Sequence, residues 1–116
     1  MPYILYHYTT SVALERILEE ARLLPSTTSR NPRDVRYGEG IYLTDVEPGT
    51  ISPPKLCAKL IGSPFAWRKF THYVAIDVED LNVSQGRPGI YVIRRDEPLE
   101  IVGRIIGFGP CPSVTH

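Results

Sequence analysis

Two short stretches hold residue types that could serve a ligand. "HYTT", His7 to Thr10, sets an imidazole, an aromatic ring and two hydroxyls where a β-rich run gives way to a helix. Backbone N–H and C=O groups just past a strand end are open to a ligand amide, and an imidazole beside them can hydrogen-bond a sugar hydroxyl. "YGEGIYLTD", residues 37 to 45, places Gly38 and Gly40 ahead of a strand that carries Tyr42. Glycine there either supplies positive φ in a turn or lets something lie close to the chain. A tyrosine beside such an opening can stack on a flat, positively charged ring, with a cation–π contribution of about 0.5–2 kcal/mol. Plainer uses exist, since a lone strand histidine is more often structural and Tyr42 reads equally as core. Because Tyr-Gly-x-Gly precedes a strand rather than joining strand to helix, the dinucleotide fingerprint of parallel α/β domains does not apply.

The elements that must position these residues follow from periodicity. "YILYHYT" alternates Tyr3, Leu5 and His7 against Ile4, Tyr6 and Tyr8, which predicts a first strand with His7 near its C-terminal end. Thr10 or Ser11 can cap a helix in which Leu14, Ile17, Leu18, Ala21 and Leu24 recur at helical spacing up to Pro25. Residues 25 to 39 form a long polar loop of the kind that is more often functional than idle, here able to fold over a ligand. Its Arg30, Arg33 and Arg36 suit bidentate pyrophosphate contacts and equally suit ordinary solvated charge. "GIYLT" predicts a second strand, "SPPKLCAKLIG" a short helix with proline near its start, and "HYVAIDV" a third strand. "GIYVIRR" and "LEIVGRIIGFG" predict further strands parted by "DEP", with Gly103 a bulge or close-packing site. Strands and helices do not alternate regularly, so the fold class is α+β with a mostly antiparallel or mixed sheet.

Bulk numbers bound the function. At 116 residues the chain is the size of one domain, residues 1 to 116, with no internal repeat. Thirteen basic and thirteen acidic residues cancel, so no overall field draws the protein to nucleic acid or anionic lipid, although a local basic patch stays open. The lack of a leader-like or membrane-spanning stretch predicts a cytoplasmic protein, with delivery to another cell as the alternative for a toxin. Cys57 and Cys111 lack metal-ligand spacing and read as free thiols.

Together, "LYHYTT" with its amphipathic helix "LERILEEARLLPS", then "YGEGIYLTD", "AIDVEDLNV" and "PLEIVGRI", resemble the HYD1-type group of the ADP-ribosyltransferase superfamily, known as toxin domains and as stand-alone small proteins. The resemblance spans nearly the whole chain and implies two small packed sheets, one or two helices and a cleft for NAD. It implies that His7 contacts the adenosine ribose, that the Tyr8 backbone holds the nicotinamide carboxamide with Thr9 in support, and that Tyr42 stacks on nicotinamide beside Gly38 and Gly40. A second aromatic wall is usual, for which Phe65 and Trp67 are candidates, with core packing as their alternative. Breaking the nicotinamide–ribose bond develops positive charge on the sugar, so a carboxylate is required nearby. Glu100, alternating away from Leu99 and Ile101, is the first choice; Glu97 and Asp96 follow, and Asp45 reads as a turn residue. The group often has Asp where this chain has Glu100. The implied activity is NAD-dependent ADP-ribosyl transfer without a metal, to an unidentified acceptor, with an immunity protein as partner if the chain is a toxin. Alternatives are an NAD glycohydrolase, a non-catalytic NAD or ADP-ribose binding module, and RNA 2′-phosphotransfer drawing on Arg87, Arg94 and Arg95.

Overall fold

A computed structural model describes residues 3–25, 40–62, 64–95 and 97–112. The first strand, β1 (Ile4–Thr9), buries Leu5 completely on the face it shares with His7. It pairs antiparallel with β4 (His72–Asp77), whose Val74 and Ile76 are also fully buried, and β8 (Ile105–Pro110) lies on the far side of β4. A second antiparallel sheet runs in the order β3 (Gly40–Leu43), β6 (Ile90–Arg94), β5 (Ser84–Arg87). A third ladder pairs β2 (Arg22–Leu23) with β7 (Leu99–Glu100). The described residues thus form an α+β fold whose pairings are all antiparallel, in three sheets where the sequence predicted two.

Helix α1 (Ser11–Glu20) begins as expected, with Thr10 Oγ1 accepting from the Ala13 N–H at 3.2 Å. It stops short of Leu24. Ala21 is left-handed, with φ 54°, and its carbonyl accepts from the Ile101 N–H at 2.8 Å. The chain therefore leaves the helix and enters β2, where Leu23 is buried against Leu99 of β7. The apolar spacing that predicted helix to Leu24 is met instead by a strand.

Helix α2 (Pro53–Ile61) has proline in its first turn and Gly62 at its end, where φ of 82° lets the Gly62 N–H reach the Ala58 carbonyl at 2.9 Å. A 3-10 segment, Pro64–Phe70, follows, kinked at Ala66, and packs on α2.

The run "LEIVGRIIGFG" is not one strand. Gly103, at φ 76°, sits in a turn closed by the Arg104 N–H on the Ile101 carbonyl at 2.9 Å, so β7 goes to β2 while β8 goes to β4. Gly103 is accordingly a turn residue rather than a bulge. Leu5, Leu14, Leu23, Ile41, Ile76 and Ile101, from both main sheets, α1 and the β2–β7 ladder, meet in one apolar cluster.

Candidate functional site

The two main sheets share the apolar cluster, and among the described residues one backbone pair joins them edge to edge. Tyr6 and Thr44 exchange both backbone hydrogen bonds, at 2.8 and 2.9 Å, and this bridge stands alone between β1 and β3. Backbone groups on a strand point to alternate edges. Since Tyr6 spends its N–H and C=O on Thr44, Tyr8 turns its own pair to the same edge, where β3 has already moved away. Among the described residues neither backbone group of Tyr8 has a backbone partner beyond that edge. The result is a wedge between β1 and β3 with an open peptide on one wall.

The His7 ring meets the Tyr42 backbone at this wedge, while the side chains of His7 and Tyr42 leave on opposite faces. Tyr42 precedes Thr44 by two, so its carbonyl points the same way, and His7 Nδ1 lies 3.3 Å from it. A carbonyl carries no hydrogen, so Nδ1 holds the proton and donates, leaving Nε2 as an acceptor. Burial pushes the His7 pKa below its ordinary value, and the hydrogen bond to Tyr42 opposes that shift. The imidazole is therefore neutral at pH 7. Alternation puts the Tyr42 ring on the face opposite Ile41 and Leu43, the same face as Tyr6 and Tyr8.

His7 also lines a cavity of about 360 Å³ on the α1 side, together with Thr9, Thr10, Arg16, Glu20 and Arg22 and an apolar floor that includes Ile17 and Leu23. Arg22 is held by Glu20 at 2.7 Å. The left-handed turn at Ala21, which no glycine announces, carries the chain out of the helix and leaves Arg22 lining the cavity.

Glu100 is exposed on β7, and its cross-strand partner is Arg22. Side chains of such a pair leave the ladder on one face with Cβ atoms about 4.5–5.5 Å apart. Glu100 therefore shares the outer face of this ladder with Arg22; it is not among the residues that line the cavity, and among the described residues no hydrogen bond joins it to His7. The preceding turn is fixed by Arg95, whose Nε and Nη2 donate to the carbonyls of Glu97 and Pro98 at 2.8 and 3.0 Å. Arg95, just past the end of β6, thus holds the turn that leads into β7 and Glu100, a role its sequence gives no hint of.

The remaining residues divide. The Tyr8 ring is buried, with its hydroxyl donating to the Val46 carbonyl at 2.7 Å and its pKa raised by burial. Thr9 is buried at the cavity edge. Gly40 is explained by packing, because a Cβ there would run into the Ile93 carbonyl and lie 2.9 Å from Val92 Cγ1. Asp45 accepts from the Tyr91 hydroxyl at 3.2 Å rather than from its own turn, whose Val46 N–H goes to Thr44 Oγ1. Phe65 is 89% exposed, which rules out the core role expected of it, and Trp67 is half-buried under Arg68. Gly38, Arg30, Arg33, Arg36 and Asp96 lie outside the described residues.

The family model described as HYD1 signature containing ADP-ribosyltransferase matches residues 5–105. No curated protein and no solved structure matches the chain.

Proposed function

Because the chain belongs to the family of HYD1-signature ADP-ribosyltransferases, we propose that it cleaves NAD and transfers ADP-ribose through the wedge between β1 and β3. The observation that carries this reading is the open peptide edge at Tyr8, in the gap where the His7 ring meets the Tyr42 carbonyl. A primary carboxamide offers one acceptor and two donors, the complement of a Tyr8 N–H and C=O that find no backbone partner beyond that edge among the described residues. Nicotinamide held there would lie near the Tyr42 ring. The cavity of about 360 Å³ suits a nucleoside half rather than a whole dinucleotide, and Nε2 of His7 can accept from a ribose hydroxyl.

The C–N bond between nicotinamide and ribose breaks with its electron pair leaving on nicotinamide. Positive charge then grows on the sugar, and a carboxylate at the rim stabilises it. Glu100 is the acid in this reading, carried on β7 opposite Arg22. An acceptor lone pair forms the new bond at the same carbon and releases its proton to solvent. Glu100 is exposed, so water reaches the same place, and NAD glycohydrolysis is the second reading.

Nicotinamide release from NAD by purified protein tests the proposal. Glu100→Gln is expected to cut turnover by about 10²–10³-fold with NAD binding retained. Tyr42→Ala is expected to weaken binding and turnover together. Full activity in Glu100→Gln would remove the acid from Glu100 and send the search to Glu97; NAD binding without any release would leave only a binding module. The ratio of free to transferred ADP-ribose separates hydrolysis from transfer.

A further inference from the structure

The neutral balance of charge hides an uneven distribution. Between Glu47 and Asp77 the chain has no carboxylate side chain, yet it has Lys55, Lys59, Arg68 and Lys69. All four are exposed. Lys55 and Lys59 are one turn apart on α2 and share a helix face, while Arg68 and Lys69 lie on the 3-10 segment that packs on α2. Lys59 runs along Gly89 beside Asp45, so the inference rests on the other three. Aromatic rings are interleaved with these cations. Phe65 stands 89% exposed, an unusual position for a large apolar ring, and the Arg68 guanidinium lies 5.0 Å over the Trp67 ring.

Cations that follow a phosphate backbone, with flat rings on which bases stack, are the two components of sequence-tolerant single-strand recognition. A duplex keeps its bases stacked and would leave Phe65 without an occupant, and an acidic protein would use the cations but not the exposed ring. The 3-10 segment also packs on β1, the strand that carries His7 and Tyr8, so a strand seated on it lies close to the wedge. We propose that Lys55, Arg68, Lys69, Phe65 and Trp67 form a docking surface for single-stranded nucleic acid, and that this strand is the acceptor of ADP-ribose. The acceptor role rests on the transferase reading above; the docking does not. In the transfer, a lone pair on a base nitrogen or on an anionic terminal phosphate oxygen bonds to the ribose carbon and nicotinamide departs with the electron pair; a base nitrogen gives its proton to solvent, whereas the phosphate oxygen has none to lose.

Binding is measured without NAD, by anisotropy of a labelled 15-nucleotide single strand of mixed sequence, as RNA and as DNA, and by quenching of Trp67, the only tryptophan in the chain. Three phosphate contacts predict a slope of log affinity against log salt of about −2, and Phe65→Ala is expected to weaken binding about tenfold. The triple variant Lys55→Ala, Arg68→Ala, Lys69→Ala should abolish binding at moderate salt and stop transfer to the oligonucleotide, with nicotinamide release in its absence unchanged. No binding at low salt overturns the docking surface. So does an unchanged Phe65→Ala protein from which polyglutamate displaces the strand as well as unlabelled oligonucleotide does, the behaviour of a site for acidic protein. A strand that binds but gains no ADP-ribose while nicotinamide is released overturns its role as acceptor. Absence of any nicotinamide release counts against the transferase reading and leaves the binding result standing.

Discussion

At the scale of single residues, His7 has the clearest physical signature. Its folded pKa is depressed by burial, so on acidification the unfolded chain takes up a proton near the ordinary value of 6.5 while the folded chain resists until lower pH. The stability contributed by a neutral His7 is complete above 6.5 and is lost as pH falls through the folded value. Thermal melts from pH 7.5 down to 5 should therefore show a steeper decline for wild type than for His7→Gln; parallel curves would show that the imidazole is not desolvated. Protonation also removes the Nε2 acceptor, so NAD binding should weaken over the same range. The strand positions of His7 and Tyr42 were legible because each stands in a short β-rich run with alternating faces. Arg22 was not, since its place depends on a left-handed alanine, a conformation that residue type does not announce.

At the scale of elements, alternation in β1, β3 and β4 was readable because each strand has one apolar face and one mixed face. The failures lie where the apolar pattern continues across a change of element. Leu23 and Leu24 extend the helical spacing of α1, and Ile101 and Val102 bridge β7 and β8, so periodicity alone joins what Ala21 and Gly103 divide. β5, the polar "SQGR", has no apolar signal and was missed. At Gly40 the close neighbour in the structure is β6. Its Cβ would meet backbone, which cannot rotate aside, so Gly40→Ala is expected to destabilise by about 1–3 kcal/mol in chemical denaturation. A variant as stable as wild type would mean that β3 and β6 separate easily.

Across the whole molecule, the apolar cluster draws on both main sheets, α1 and the β2–β7 ladder at once. Ile76 is fully buried at its centre, and Ile76→Ala should cost about 2–5 kcal/mol, read as a lower denaturant midpoint at unchanged slope. Acidic and basic residues balance over the full length while their placement does not, which is why composition excluded a general attraction to nucleic acid yet left room for a local one. No helix among the described residues is long and apolar enough to cross a membrane.

The lone Tyr6–Thr44 bridge has a mechanical meaning. The bridge fixes the register in which Tyr8 and Tyr42 stand opposite each other, and the width of the gap there is set by how Leu5, Ile41 and Leu43 pack beneath it.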